Sequence, residues 1–443
     1  VLKHQSFKPM ESILKPHPIG CNCRAHKPSG TSERGTGGGV ARPPAAERGR
    51  TDGPGAGAGA PPLGTNAKLR ANSTSPMGAR VQRFALQSVA RSILPTSRTA
   101  KCMRIRTGRT DVQVWKSKAH HTTSYGGLQT CGSVWACPVC AAKIAERRRV
   151  ELLDAMEMHK AQGGVVSLLT LTTPHQRGDN LAALLEQQGK ALQGFLRDRQ
   201  VKEVFSEMGL IGQVRNLEVT HGRRSDRNNG WHPHFHILQF HQVAGREADR
   251  KDWTARLYLR WVVYCEKAGL GTPSFRHGIK LDDGTRASQY VTKWGLEDEM
   301  TKGHTKKAKT GGETPFDLLR AYLADGQDSQ AAALFREFSE CFRGKRQLSW
   351  SNGLKARFYV DDKSDEQLSE ELEDNAVLLG QITVEQWRDV LKVDGRATVL
   401  EIAARSGWEA VTRYLWIIEG ASEGVLIEPD ILREAREILM ASG

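Results

Sequence analysis

The sequence has no apolar run that approaches the roughly 20 residues a helix needs to cross a bilayer. It does not open with a charged stretch followed by an apolar one, as a secretion signal would. Cysteine is sparse, with 8 in 443 residues, which excludes a disulfide-rich secreted scaffold. No repeat of about 20–50 residues is present, so a solenoid is excluded as well. We therefore expect a soluble cytoplasmic protein, without a membrane partner, built from about two or three domains.

Positive charge is in excess, and it is unevenly distributed. The chain has 64 Lys and Arg against 50 Asp and Glu, a formal net charge of +14. Residues 1–110 carry +15 and residues 111–360 carry +10, whereas residues 361–443 carry −11. A basic central part favours a polyanionic partner, and nucleic acid is the commonest one.

The first part of the chain is dominated by Gly, Pro, Ala, Ser and Arg. Residues 51–64 read TDGPGAGAGAPPLG, a composition that cannot build a core. We expect residues 1–76 to be disordered. Because the first residue is Val1, the segment is either a translated upstream region, with Met77 as the true start, or a basic DNA-binding arm.

A cluster of cysteines follows and predicts a structural zinc site. The run is C-x5-C-x2-C and consists of Cys131, Cys137 and Cys140. Such a run with Gly and Pro at its turns is a fairly specific zinc signature. A structural zinc ion takes four ligands, and Cys102 is the best fourth candidate, with His120 or His121 as alternatives. We expect this site to contribute folding energy more than chemistry.

The segment 231–240, which reads WHPHFHILQF, predicts a strand that carries a second metal site. Pro233 is tolerated at a strand start, and the apolar residues that follow favour a strand. Because alternate side chains share a face, His234 and His236 project together while Phe235 points the opposite way. The strand predicted over 213–220 precedes it across a polar loop. An antiparallel hairpin would bring Glu218 to the two histidines.

Two imidazoles and a carboxylate suit Mg²⁺ or Mn²⁺, and Zn²⁺ is also compatible. His232 lies on the same face, and we expect it near the site rather than on the metal.

The remaining periodicity predicts alternating strands and helices. Strands are predicted over 165–173 and 274–281. Helices are predicted over 143–162, 180–200, 247–268, 286–294, 385–391, 398–404 and 408–418, and a helical region over 314–342.

In this order the segments resemble the rolling-circle replication initiators of plasmids and phages, which are HUH endonucleases. The residues that carry the resemblance are LTLT at 169–172, HPHFH at 232–236 and YVTKW at 290–294, together with the cysteine run and GKRQLSWSNGL at 344–354. The resemblance covers roughly residues 102–358.

The resemblance implies an α+β fold in which a central antiparallel sheet with flanking helices forms a ferredoxin-like nuclease. A small zinc-binding module would precede it, and a helical C-terminal region would follow. The implied segments are 1–76 (disordered and basic), 77–145 (zinc module), 146–300 (nuclease core), 301–360 (basic extension) and 361–443 (acidic linker and helices).

The resemblance also implies a metal-dependent DNA nickase and ligase that starts replication. Tyr290 would attack phosphorus and form a 5′-phosphotyrosine, with Lys293 orienting the phosphate. DNA would be the partner, and a host helicase would follow; the sequence indicates no oligomeric state. One position departs from the family, because Arg286 stands where plasmid-type members carry a glutamate that activates water in the terminating step. Glu297 is the candidate replacement, whereas Asp283 is separated by Gly284.

Two other functions fit part of this pattern. A relaxase or transposase would use the same residues for strand transfer. A zinc-containing DNA-binding regulator would need no catalysis.

Overall fold

The computed structural model describes residues 76–226, 228–283, 312–371 and 375–422. The segment predicted to be disordered, 1–76, lies outside the described residues except for Pro76. Tyr290, Lys293, Glu297 and Arg286 lie outside them too, so their predicted roles stay predictions.

The described chain contains both helices and strands. The helices are α1 (Pro76–Ile93), α2 (Arg98–Lys101), α3 (Pro138–Ala161), α4 (Leu181–Arg197), α5 (Arg199–Glu207), α6 (Glu247–Lys267), α7 (Phe275–Gly278), α8 (Pro315–Ala324), α9 (Ser329–Cys341), α10 (Leu354–Arg357), α11 (Asp365–Glu370), α12 (Val384–Lys392) and α13 (Arg396–Ser422). The strands are β1 (Val112–Ser117), β2 (Thr123–Gly126), β3 (Val165–Thr172), β4 (Leu210–His221), β5 (Trp231–His241), β6 (Ile279–Asp283), β7 (Leu348–Trp350) and β8 (Ala376–Ile382). Antiparallel sheets with flanking helices confirm the α+β class. Among these helices, none is both long and apolar enough to span a membrane.

Five strands form one antiparallel sheet in the spatial order β6-β3-β5-β4-β7. Its centre is the hairpin of β4 and β5, which are 12 and 11 residues long. In this hairpin Glu218 lies directly opposite His234. The predicted hairpin is therefore confirmed, and its register places the carboxylate beside the histidines.

The two faces of this sheet are covered differently. On one face, Leu169, Leu171 and Ile237 join the largest core, which includes residues of α4 and α6. On the other face, Leu238 and Phe240 pack with residues of α3 and α10. Because side chains alternate along a strand, His236 and His234 continue this second face beyond its apolar half. The packed half of the face is a rigid base for the polar half.

The other sheet has the order β2-β1-β8 and joins distant parts of the chain. β8 pairs with β1 in an antiparallel register from Val112–Ile382 to Ser117–Ala376. Val112 and Val114 are buried with residues of α12 and α13. The C-terminal helices thus pack on a sheet whose strands β1 and β2 precede the cysteine run. The predicted segment boundaries stay predictions.

The predicted single helix over 180–200 is wrong, because α4 and α5 are separate helices that meet at Asp198. This residue is extended, with φ −61° and ψ 139°. Its carboxylate accepts hydrogen bonds from the backbone N–H groups of Gln200 and Val201, which caps the new helix. It also accepts hydrogen bonds from Arg260 and Tyr264 of α6. Capping from one side and tertiary contacts from the other fix the break.

Two other local predictions need correction. The predicted strand over 274–281 begins as the short helix α7, where the backbone N–H of Gly278 donates to the carbonyl of Ser274, and only its second half is β6. β1, β2, β7 and β8 were not predicted from the sequence. By contrast, the predicted gap between the helices at 398–404 and 408–418 is confirmed, because Gly407 has non-helical angles of φ 77° and ψ −172° inside α13.

Replacing Trp387 with alanine should destabilise the protein by about 3–5 kcal/mol. The indole is 3 % exposed, its ring lies edge-on to Tyr125 at 5.2 Å, and its N–H donates to the carbonyl of Arg104. Denaturant unfolding would measure the change. The matched control is Trp416→Ala on α13, since Trp416 is 76 % exposed and should change stability by less than about 0.5 kcal/mol. Equal effects would contradict the packing of α12 against β2.

Candidate functional site

A carboxylate and two imidazoles converge on the polar half of the central sheet. The Nε2 atoms of His234 and His236 are 3.2 Å apart. Oε2 of Glu218 lies 3.5 Å from Nε2 of His236 and 3.8 Å from Nε2 of His234. Glu218 and His236 are each 8 % exposed. Three ligand atoms gathered within 4.8 Å of one another can hold a metal ion.

Thr170 orients one of these imidazoles. It lies directly opposite His236 in the pairing of β3 with β5, and its Oγ1 is 3.1 Å from Nδ1 of His236. A hydrogen bond at Nδ1 fixes the ring plane and turns Nε2 towards the other two ligand atoms. The donor set therefore fits the divalent ion that the sequence predicts, with Mg²⁺, Mn²⁺ and Zn²⁺ all compatible.

His232 stacks beside the site. Its ring lies 4.5 Å from that of His175 and 5.0 Å from that of His234, measured between centroids. Burial, with the neighbouring His234 and His175 rings, lowers the pKa of His232 to about 3. The ring is therefore neutral at pH 7, and it packs against a metal-ligand candidate without adding charge.

Replacing Thr170 with valine should weaken the affinity for Mn²⁺ by about 10- to 100-fold. Valine keeps the branched shape and removes only the hydroxyl that meets Nδ1 of His236. Calorimetric titration with Mn²⁺ would measure the loss. The matched variant Thr170→Ser keeps a hydroxyl and should bind nearly as the wild type does. Unchanged affinity in Thr170→Val would show that the ring is held by packing alone.

The four predicted cysteines form a second group. Sγ of Cys102 lies 3.5 Å from that of Cys140 and 3.7 Å from that of Cys137, and Sγ of Cys131 lies 3.7 Å from that of Cys140. All four are free thiols rather than disulfides, and all are buried. A zinc ion with Zn–S bonds of ~2.3 Å needs sulfur atoms about 3.8 Å apart, so this cluster can bind zinc. The structure brings Cys102 to the group, rather than the alternatives at 120 and 121.

The chemistry of the cluster also favours a cation. Burial raises the pKa of the Cys137 thiol, whereas hydrogen bonds from the other three cysteines lower that of Cys131. Four thiolates cannot share a buried space unless a cation neutralises them. The cluster thus has the geometry of a zinc site, and a bound cation would stabilise its thiolate forms.

The cysteine cluster connects three parts of the chain. Cys102 directly follows α2, Cys140 lies in the first turn of α3, and Leu368 of α11 packs against the thiols. Outside the cluster, Lys143 donates a hydrogen bond to the carbonyl of Ser369. A metal bound here would join α2, α3 and α11.

The loop between the cysteines also reaches the carboxylate site. Val134 and Trp135 line a pocket together with Asn216 and Glu218 of β4. The indole N–H of Trp135 donates to the carbonyl of Lys345, and its ring lies 4.6 Å from that of Phe342. Neither Trp135 nor Asn216 was predicted from the sequence to be a site residue. The strand pattern could have identified Asn216, because it stands two residues before Glu218 and so shares its strand face. No sequence pattern places Trp135 near this site.

The predicted nucleophile is not part of the described geometry. β6 pairs with β3, and its Lys280 lies opposite Thr170. β6 ends at Asp283, the last described residue before a gap, and Tyr290, Lys293 and Glu297 lie outside the described residues. The structure thus brings Glu218, His234 and His236 together and leaves the other three untested.

Residues 127–244 match a family of replication proteins, Rep_1. This segment contains β3, β4 and β5. It therefore includes Glu218, His234 and His236, which we call the Glu218 group, and also three of the four clustered cysteines. Over this segment the chain is similar to the replication protein family, and the predicted resemblance to replication proteins is confirmed.

Two curated proteins are similar to the chain. One, named Protein rep, is from Streptomyces lividans and is 26% identical over 373 residues, which cover 67% of this chain and 76% of that protein. The other, named Neomycin resistance protein, is from Streptomyces cyanogenus and is 30% identical over 155 residues, which cover 28% of this chain and 33% of that protein. The chain thus spans about a third of the second relative. No solved structure matches. A replication protein acts on DNA, so a DNA partner follows in general terms.

Proposed function

We propose that the protein is a site-specific DNA nickase and ligase that initiates rolling-circle replication. The observation that carries this proposal is the convergence of Glu218, His234 and His236 inside the segment that matches replication proteins. A buried group of two imidazoles and a carboxylate on adjacent strands suits a divalent cation beside a phosphate. The proposed fold type is that of an HUH endonuclease.

His234, His236 and Glu218 would hold Mg²⁺ or Mn²⁺, and Thr170 orients the ring of His236. When bound, the ion polarises the phosphate and offsets the charge that develops on it. Because two of the ligands lie on β5 and the third directly opposite on β4, the hydrogen-bonded ladder fixes their separation. The sheet therefore presents a site that is formed before DNA binds.

Tyr290 is the proposed nucleophile. Its phenol oxygen attacks phosphorus, a 5′-phosphotyrosine bond forms, and the bond from phosphorus to the 3′-oxygen breaks. The phenol loses one proton and the departing 3′-oxygen gains one, so the step is balanced without a further reactant. Lys293, three residues later, would share a helical face with Tyr290 and orient the phosphate. The new bond conserves the phosphodiester energy, so the same residues can rejoin ends.

The terminating step needs a base that activates water or a second strand end. Arg286 occupies the position where plasmid-type initiators carry a glutamate. Glu297 is the proposed replacement, and rejoining by a second DNA end needs no such base. The relaxase-like alternative differs from the leading proposal in this second step.

The other assignments follow from the same proposal. Zn²⁺ in the cysteine cluster would be structural. The basic part of the chain, +10 over residues 111–360, would bind the DNA backbone, and affinity should fall with added salt. A host helicase would unwind the DNA beyond the nick, and the protein would act in the cytoplasm.

The test is a covalent capture experiment. The full chain is incubated with a pool of randomised single-stranded DNA and Mn²⁺, then denatured, and protein that stays joined to DNA is isolated. Proteolysis and mass spectrometry should find the nucleotide on Tyr290. A DNA-binding regulator would bind the pool and give no adduct with or without Mn²⁺, and that outcome would overturn the proposal.

A further inference from the structure

The buried side chain of Asn216 lies beside the metal-ligand candidates and is not one of them. Asn216 is 1 % exposed, and neither its Oδ1 nor its Nδ2 has a hydrogen-bond partner within the part of the chain that the structure describes. It lies directly opposite His236 in the register of β4 with β5. A buried amide without partners destabilises a fold, so its presence calls for a ligand.

Asn216 lines a pocket that shares Glu218 with the candidate metal site. The pocket is partly open to solvent. Its wall is mostly apolar and aromatic, and it is formed by Val134, Trp135, Leu217, Val219, Phe316 and Phe338. The same carboxylate therefore borders both the metal site and this pocket.

The pocket lies at the edge of β4, in the gap between two neighbouring segments. The backbone N–H of Leu217 donates to the carbonyl of Gln347, and that of His221 donates to the carbonyl of Glu313. Because hydrogen-bonding groups alternate along a strand, Val219 between them directs its backbone towards the same edge. The pocket therefore borders polar backbone groups of β4 as well as aromatic side chains.

We propose that this pocket holds one nucleobase of the single-stranded DNA beside the cleaved phosphate, and that Asn216 reads its hydrogen-bonding edge. An amide offers one acceptor and two donor hydrogens, which match the mixed edge of a base, as in the pairing of Asn with adenine. Aromatic and apolar walls suit the face of a base. The inference rests on the proposed function, because it assumes that DNA is processed at the Glu218 group.

The lining chemistry disfavours two other ligands. Among the described residues, those lining the pocket include no Lys or Arg, whereas an isolated phosphate would be held by cations. Glu218 is the one carboxylate in that lining, which is too few for a second metal ion of its own. A neutral heteroaromatic ring with donors and acceptors is the ligand that remains.

The test measures both the thermal stability and the base preference of the variant Asn216→Leu. Leucine has a similar size and no polar atoms, so the free protein should be as stable as the wild type or more stable. DNA captured on the wild type with Mn²⁺ is sequenced, and we expect a preference for one base at one position next to the junction. Asn216→Leu should reduce that preference on the order of tenfold or more, and leave the other positions unchanged.

Gln213→Leu is the matched control. Gln213 is on the same strand, and its side-chain oxygen also lacks a partner, but it does not line the pocket. This variant should keep the base preference. A lower thermal midpoint of Asn216→Leu together with an unchanged preference would show a structural role and overturn the inference.

A second measurement separates this inference from the proposed function. Ultraviolet crosslinking of the randomised single strand in EDTA requires no cleavage, and we expect crosslinked nucleotide on Trp135. If the wild type forms no Mn²⁺-dependent adduct but Trp135 crosslinks, the nickase proposal fails. The pocket then remains a site for a base of single-stranded DNA, without a cleaved phosphate beside it. If the adduct forms on Tyr290 and neither Trp135 nor Phe338 crosslinks, the pocket assignment fails alone.

Discussion

Replacing Tyr290 with phenylalanine should abolish DNA cleavage and the covalent adduct, a loss on the order of 10⁴-fold or more, while DNA binding persists. Phenylalanine preserves the ring and removes only the oxygen that we propose attacks phosphorus. Affinity for DNA should come mainly from the basic surface, which this change leaves intact. Nicking of a captured sequence, followed on denaturing gels, gives the rate, and filter binding at matched salt gives the affinity.

Two other tyrosines provide controls whose hydroxyl groups are already engaged. Tyr258 of α6 donates to the carbonyl of Pro273, and Tyr264 donates to the carboxylate of Asp198. Both are partly buried against the main core. Tyr258→Phe and Tyr264→Phe should therefore nick DNA at close to the wild-type rate. A DNA crosslink on either residue, or full nicking by Tyr290→Phe, would overturn the assignment of the nucleophile.

A variant that lacks one of the proposed metal ligands should lose nicking activity for a different reason. His236→Ala should also stop nicking, but excess Mn²⁺ should restore part of the activity, because His234 and Glu218 remain. No concentration of Mn²⁺ should rescue Tyr290→Phe. The titration thus separates the nucleophile from the residues proposed to hold the ion.

The Glu218 group could be predicted from sequence because its geometry is local. The two-residue period of a strand places His234 and His236 on one face, and a hairpin brings the preceding strand alongside. Glu218 then falls opposite His234 with only a loop between them. Neither inference needs knowledge of how distant segments pack.

The pocket beside Asn216 and the smaller sheet could not be predicted, because both depend on contacts between distant segments. Trp135 reaches β4 through the fold of the cysteine loop, and no periodicity indicates that approach. β8 pairs with β1 across more than half of the chain, and its apolar residues lie next to an acidic stretch. A local sequence pattern predicts the structure of its own segment, but not which distant segment packs against it.

Replacing Cys137 with serine should release zinc and lower the free energy of unfolding by about 4–5 kcal/mol or more. Cys137 is fully buried at the start of α3, and the cluster that it completes joins α3 to α2 and α11. Serine is a poor zinc ligand and leaves three buried thiols without a cation. Metal analysis of the purified protein and a thermal scan measure both effects. Binding of Mn²⁺ at the Glu218 group should persist in the folded fraction, because β4 and β5 hold those ligands.

Cys265→Ser is the matched control, since Cys265 is equally buried but lies in α6, away from the cluster. Burial raises the pKa of Cys265 to about 12, so it stays a neutral thiol and packs as a small apolar side chain. Its serine variant should keep the zinc and lose only about 1–3 kcal/mol, the cost of burying a hydroxyl. Equal destabilisation by the two variants, or freshly purified wild-type protein without zinc, would show that the four cysteines do not form a zinc site. A larger loss for Cys137→Ser, with zinc released, assigns the difference to the metal.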